Sequence, residues 1–259
     1  MATTLISPGV LARENDQSFV SSRPVTVGAA IIGPTVKGPV EVPTVVTSYS
    51  EFKNKFGTTL VSGSTTDSTT YSYFTSIAAY NYFINGGKSL LVARVVTGSY
   101  TFASSSIIAN SITSASFTLE TLSKGTVMNS ACTEVSGALL ASGSLDNVRW
   151  QVVNPNTSSG TFDLLIRRGN DNILQPVVLE TFSGLSLDPN SSKYISRIIG
   201  DQTENYNATN IQIEVSGSYS NKSNHVRVKS VNYTTPNYLD NNGVAKNQYT
   251  SSIPVAGSG

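Results

Sequence analysis

The sequence is short of the residues that build chemical sites. Among its 259 residues there is one cysteine, Cys132, and one histidine, His225. A lone cysteine excludes an intrachain disulfide framework. A lone histidine leaves a histidine-based metal site without its other ligands. Both read as structural or solvent-facing residues, because a site needs a constellation. Charge is scarce too: 13% of residues are charged, 17 basic against 16 acidic, for a net charge of +1. No basic excess is available to neutralise phosphates, which argues against nucleic-acid binding. A membrane surface is equally unsupported. The longest apolar runs fall far short of the roughly 20 residues that a spanning helix needs. Met1-Ala2-Thr3-Thr4 offers neither a basic n-region nor an apolar h-region, so no secretory signal is expected.

What is present is a globular composition, with 39% apolar residues and a length fit for one large domain or two modest ones. Ser, Thr and Asn are plentiful, and Val, Ile and Thr recur in short runs, which favours strands and turns. Near the start, Ser7-Pro8-Gly9 marks a turn, and Val10-Leu11-Ala12-Arg13-Glu14 reads as a short extended segment. From the residues alone it is either an arm or an edge strand of the chain's own sheet. The apolar run Val27 to Ile32 fits a buried strand, stopped by Gly33-Pro34. Lys37-Gly38-Pro39 is a second turn, and Val42 to Val46 a second strand. Ser48 and Glu51 have capping-box spacing, Phe52 and Phe56 fall on one face, and Gly57 suits a stop, so a short helix is predicted. The Ser/Thr/Gly-rich stretch from Thr58 to Thr69 reads as a surface loop.

The strongest helix signal runs from Thr70 to Asn85. Tyr73, Phe74, Ile77, Ala78, Tyr80 and Ile84 follow i, i+3, i+4, i+7 spacing, and this stripe is the expected core face. Gly86-Gly87 ends it, and Ser89 to Val96 is a strand. Tyr100 to Ser116 lacks long periodic elements. Beyond it the predicted strands are Phe117–Leu122, Val148–Val153, Phe162–Arg167, Val177–Phe182, Ile211–Val215 and Val226–Val231. The pair around Arg168-Gly169-Asn170-Asp171-Asn172 reads as hairpin-like. Asp188-Pro189-Asn190 leads into a helix with Tyr194, Ile195, Ile198 and Ile199 on its apolar face. After Tyr233 the chain is polar and turn-rich, with no domain-closing element and no repeat of fixed period.

Enzyme signatures are weak. Gly87-Lys88-Ser89 invites a phosphate loop, but Tyr82 stands where the first Gly is needed, and the order is helix, Gly pair, strand. A phosphate cradle needs a strand, a loop and then a helix N-terminus. No G-x-S-x-G elbow precedes a helix. Asp163, Glu180 and Asp188 could pair for acid–base work, yet any chain of this size offers such pairs. Sequons begin at Asn156, Asn190, Asn207, Asn221 and Asn232, as chance predicts in a chain rich in Asn, Ser and Thr. No catalytic, cofactor-binding or metal-ligating residue is assigned, and no cofactor is implied.

The ordered motifs nonetheless resemble one family, the tail-sheath proteins of contractile phage tails and related injection systems. Four pieces carry the likeness. They are Ser7-Pro8-Gly9-Val10 with Arg13-Glu14; Val27 to Pro34 with Lys37-Gly38-Pro39; Val46 to Phe52, Phe56-Gly57, Tyr80, Phe83 to Gly87 and Val92-Ala93-Arg94-Val95; and Phe162 to Arg168, Leu179 to Phe182, Leu185 to Pro189 and Tyr194-Ile195. Together they cover most of the chain from Ser7 to Asp201. The resemblance implies an α+β fold, with a compact α/β sheath core portion, an inserted β-rich domain and an extended N-terminal arm. It implies an arm over residues 1–22, a core portion over 23–98, a β-rich insertion over 99–215 and a polar connecting segment over 216–259. It further implies hexameric rings stacked helically around a tail tube protein, bounded by a baseplate and a tail terminator, in a virion assembled in a bacterial cytoplasm. Direct contact with nucleic acid or membrane is not implied.

In that family terminal arms add strands to a neighbour's sheet. Ser7, Pro8, Gly9, Val10, Leu11, Ala12, Arg13 and Glu14 match the position of such an arm. Sheath proteins usually continue into a substantial C-terminal half, whereas this chain stops near where that half would begin. The expectation is therefore a fragment, or a split sheath completed by another chain. The competing reading is a β-rich adhesin, fibre or baseplate component, suggested by the Ser/Thr/Asn-rich region from Phe117 to Val231.

Overall fold

A computed structural model describes residues 28–64, 67–98, 100–110, 114–125, 127–128, 145–171 and 174–259. The N-terminal segment Ser7 to Glu14 and Cys132 lie outside the described residues. What is described is mixed, mostly β with few helices.

The first part is a small α/β unit. β1 (Ala29–Gly33), β2 (Thr44–Val46) and α1 (Tyr49–Phe56) follow one another in the predicted order, but β1 is an edge strand that is half-buried to exposed, not buried on both faces. α1 starts because Ser48 Oγ accepts from Glu51 N at 3.1 Å, leaving one fewer orphan amide in the first turn. The reciprocal bond differs from the expected box: the Glu51 carboxylate accepts from Thr47 N at 2.8 Å, one residue earlier than the cap itself. Gly57, at φ 70, closes the helix, its N–H donating to Lys53 O. Phe52 and Phe56 are fully buried with ring centroids 5.4 Å apart. Burial of side chains this size is worth about 1.5–3 kcal/mol each.

The segment read as a loop, Thr58 to Thr69, is instead most of a hairpin, β3 (Thr59–Ser64) and β4 (Asp67–Ser72), paired from Thr59↔Ser72 to Ser64↔Asp67. Its Thr, Val and Tyr content suits a pleated surface, and Ser and Gly in between hid that signal. The hairpin also takes residues 70–72, so α2 begins late, at Phe74–Ile84. Gly86-Gly87 stops α2 as predicted. Gly86 has φ 91, and Gly87 N donates to Tyr82 O at 3.0 Å. A Cβ on Gly87 would lie 2.3 Å from the Tyr82 ring, so no larger residue fits. β5 (Leu90–Arg94) then runs back through the middle of a three-stranded sheet ordered β1-β5-β2. β1 pairs with it in parallel and β2 antiparallel. Leu90 and Val92 face α1 and α2 over a core of Val46, Phe52, Phe56 and Ala79.

The second part is a two-sheet sandwich. β6 (Phe102–Ile108) crosses the stretch that shows no long periodicity in sequence, and β7 (Ala115–Lys124) follows. Then come β8 (Val148–Asn156), β9 (Thr161–Arg168) and β10 (Val178–Ser186), the last two forming the antiparallel pair expected of them. α3 (Ile195–Ile199) is a single turn and a half, followed by β11 (Thr203–Asn207), β12 (Gln212–Ser216) and β13 (Val226–Val231). The chain ends with α4 (Asn247–Thr250) and β14 (Gly257–Ser258). One sheet is ordered β13-β7-β6 and the other β10-β9-β8-β14. Their inner faces meet in one core: Ile107, Phe117, Leu119, Val226 and Val228 from the first, and Val152, Phe162, Leu164, Ile166 and Leu185 from the second. Phe117 stacks on Phe162 at 5.5 Å across the gap, and Ile195 and Ile199 of α3 seal one side. The Trp150 indole N–H reaches from β8 to Ser105 Oγ on β6 at 2.7 Å.

The polar C-terminal stretch, featureless in sequence, does close this sandwich. β14 extends the second sheet beside β8, Asn110 N donates to Ile253 O at 2.7 Å, and Ser116 Oγ donates to Ser252 O at 2.7 Å. Tyr238 packs over Gly160, whose φ of 71 and missing Cβ leave room for the ring. Backbone pairing and a few buried side chains supply the closure, and neither needs an apolar run.

Candidate assembly surface

The surface begins with which way α2 is rolled. The periodic stripe predicts Phe74, Ile77, Tyr80 and Ile84 facing the core. The structure places them on the outside: Phe74 is 88% exposed and Ile84 63%, with Ile77 and Tyr80 also exposed. The buried residues of α2 are Thr75, Ser76 and Ala79. Small side chains let the helix lie close to the sheet. Thr75 Oγ1 donates to Pro34 O at 2.7 Å, and a Cβ on Gly33 would meet Thr75 Oγ1 at 2.8 Å. Tyr82 and Phe83, on the flank, pack partly against the core. The stripe was legible as apolar, but its orientation was not. A row of small residues on the opposite face was the overlooked signal.

The apolar surface continues onto the sheet. On β1 Ile32 is 74% exposed, and Val95, just past β5, is exposed as well. Several large apolar side chains exposed on one small unit are a feature of surfaces that contact another polypeptide. A second exposed apolar element is the ribbon of β11 and β12, whose Tyr206, Ile211, Ile213 and Val215 are all exposed. Ile211 sits at φ 53, a left-handed conformation that a β-branched residue rarely adopts.

Between the two parts lies a built joint. Gly38, in the predicted Lys37-Gly38-Pro39 turn, has φ 111, and its N–H donates to Ser123 Oγ at 3.0 Å. The Arg94 guanidinium spans the same joint, donating through Nη1 to Gly38 O at 2.7 Å and to Lys124 O at 2.6 Å. Lys37 pairs with Asp146 at 3.6 Å, both sides nearly buried. Burial pushes the Asp146 carboxyl above its ordinary range, and the Lys37 ammonium opposes the rise. His225 lies at this joint, its carbonyl accepting from Leu122 N at 2.9 Å. Burial depresses its imidazole pKa, with Glu180 opposing and Lys37 adding to the effect.

The carboxylates weighed for acid–base work hold turns together. Asp163 accepts from Asn154 Nδ2 and Gly184 N, at 2.8 and 2.7 Å. Glu180 accepts from Ser223 Oγ at 2.6 Å and Asn224 N at 2.8 Å. Asp188 accepts from Asn190 N at 2.9 Å and Asn237 N at 3.1 Å. They are not brought together. Asp171, in the turn predicted after β9, is buried. Its carboxylate takes two bonds from Arg167, at 2.8 and 3.0 Å, and one from Val177 N at 2.8 Å. Arg149 approaches it at 3.3 Å. Among the described residues no group of three or more His, Cys, Asp or Glu could hold a metal ion, and no helix is long and apolar enough to cross a membrane.

No protein-family model and no curated protein matches the chain. Solved structures that match the chain include two sheath tail proteins. The sheath tail protein of Listeria innocua aligns over 90% of this chain and 34% of its own, with a TM-score of 0.36 and 10% identity. The sheath tail protein of Desulfitobacterium hafniense aligns over 87% of this chain and 38% of its own, with a TM-score of 0.31 and 13% identity. The chain thus spans a little over a third of the length of the solved structures it matches.

Proposed function

We propose that this chain is a structural subunit of a contractile tail sheath. It polymerises as stacked hexameric rings around a tail tube. Collective contraction of the rings drives the tube through the host envelope. The observation that carries a role in assembly is the roll of α2, which turns Phe74, Ile77 and Ile84 away from the chain's own core. A subunit built this way gains by burying that stripe against another polypeptide, at about 25 cal/mol per Å² of apolar area. The ordered motifs from Ser7 to Ile195 support a sheath as the kind of assembly.

In this reading residues 23–98 form the portion nearest the tube, and residues 99–215 face outward together with 216–259, which completes the same sandwich. Ser7 to Glu14 form an arm that adds a strand to a neighbouring subunit and stays attached as the rigid parts reorient. The driving energy resides in inter-subunit packing. The partners are other copies of the subunit, the tube protein, a baseplate and a terminator, in a tail assembled in a bacterial cytoplasm. A second reading, a β-rich adhesin, fibre or baseplate component, draws on the exposed ribbon of β11 and β12.

Electron micrographs of the purified protein separate the two. Striated hollow tubes are expected. Isolated particles or thin fibres would favour the second reading. Deleting residues 1–14 is expected to leave a soluble, folded domain that forms no tubes, and normal tubes from that deletion would sink the arm assignment.

A further inference from the structure

Arg94 sits at the base of a cleft of about 560 Å³ that opens beside the N-terminus of α2. It is 4% exposed. Nη1 is spent on the two carbonyls of the joint, but Nε is buried without an acceptor, and no carboxylate pairs with this guanidinium among the described residues. A buried charge without a counter-charge is costly, and an anion brought to it recovers part of that cost. Burial depresses the pKa of this guanidinium, and the nearby Tyr73 and Tyr100 oppose that shift.

Tyr73, at the N-cap of α2, makes no side-chain bond to the first-turn amides and lines the cleft, which places the start of the helix beside it. The remaining walls are largely apolar, with Val36, Leu60, Val95 and Val96. A small hydrated anion gains little from such walls, whereas a carboxylate on an apolar stem matches both them and the guanidinium. Ile32 on the cleft wall is itself well exposed, and a second apolar hollow under Leu60, Tyr71 and Phe74 adjoins the cleft, sharing Pro34, Leu60 and Tyr73 with it. That extent is more than a small molecule covers.

We propose that this cleft is a docking site for an extended protein segment that carries one acidic side chain between apolar ones, with the carboxylate seated on Arg94. Charge-assisted bonds to a desolvated guanidinium fix the register of the segment, and the apolar rim holds its neighbours. The site does not rest on the sheath reading, because it is defined by the cleft and its unpaired charge in a single subunit.

The test uses the full chain in its unassembled form and a blocked pentapeptide, acetyl-Leu-Val-Glu-Val-Leu-amide, followed by calorimetry or by chemical shifts at Val95 and Tyr100. Binding with a Kd below about 1 mM is expected, and the peptide with Gln in place of Glu should bind about tenfold more weakly. Arg94→Gln should remove the preference for Glu. Because that change risks the joint, Val95→Asp, at the exposed rim, serves as a second variant and should weaken the Glu peptide without altering the fold. Equal binding of the Glu and Gln peptides, or of neither, would overturn the proposal. Binding of octanoate in the absence of any peptide binding would overturn the assignment to a polypeptide. Failure to form tubes has no bearing on either result.

Discussion

Gly38 shows how much of the joint hangs on single atoms. With φ at 111, and with Phe56 Cδ1 only 2.6 Å from where a Cβ would stand, it admits no side chain. Its carbonyl and N–H are two of the bonds that tie the α/β unit to the sandwich. His225, at the same joint, makes it sensitive to acid. Burial holds the imidazole pKa below its ordinary 6.5. Below that pH the unfolded chain takes up a proton that the folded chain resists, so the unfolded state binds more protons and stability falls as pH falls. Above it the two states carry the same charge here, and the contribution is flat. Urea midpoints measured on either side of pH 6.5 should therefore drop on acidification in the natural protein and drop less in His225→Gln. As this is the chain's only histidine, the difference between the two curves isolates it; Asp146, whose raised pKa acts in the opposite sense, contributes to both. Parallel curves would refute the role of burial at His225.

At the scale of elements the most informative case is α2. Its periodicity was readable, as were its stop at Gly86-Gly87 and the strand that follows. Periodicity defines a stripe but carries no direction, and the stripe with the larger side chains pointed outward because Gly33, Pro34 and Thr75 require close approach on the other side. A pair of substitutions tests this. Phe74→Ser and Ile84→Ser should each change the unfolding free energy of the unassembled chain, read from urea titration, by no more than about 0.5 kcal/mol, as at other exposed positions. Both should weaken association, read as a higher concentration for polymer formation in sedimentation. Ala79→Leu, on the small-residue face, should cost about 1–3 kcal/mol through overpacking. If the exposed changes unfold the chain and Ala79→Leu does not, the helix is rolled the other way. The hairpin of β3 and β4 was missed for a different reason: Ser and Gly dilute the strand signal, and the pairing that stabilises it is made by backbone groups.

For the molecule as a whole, the sandwich is closed by a tail that looks structureless. Ile253 is fully buried although its neighbours are Ser and Pro, and its carbonyl accepts from Asn110 N. Truncating Ile253→Ala should cost about 2–5 kcal/mol, the range for large-to-small changes in a core. Thermal or urea unfolding of the sandwich reads this directly, and a cost below about 0.5 kcal/mol would mean that the tail merely lies on the surface. The same scale explains the exposed ribbon of β11 and β12. Two strands alone are marginal in water, and this pair is anchored at its base, where Asp201 accepts from Tyr219 N at 2.7 Å and Asn221 Nδ2 donates to Gln202 O at 2.7 Å.

By itself the sequence determined the elements whose signals are local: the cap at Ser48, the stops at Gly57 and Gly86-Gly87, the β9–β10 hairpin, and the α/β order of the first part. It also determined what is scarce, namely cysteine, histidine and charge, because composition needs no fold. The tertiary structure decided the rest: that the Phe74 stripe faces outward, that the C-terminal tail completes a sheet, and that Arg94 lies buried with no carboxylate paired to it among the described residues. Each of these is set by which distant segments meet, Gly33 with Thr75, Trp150 with Gly259, and Gly38 with Arg94. Such meetings are long-range packing events, governed by close approach and backbone pairing, and a local pattern of residues holds no record of them.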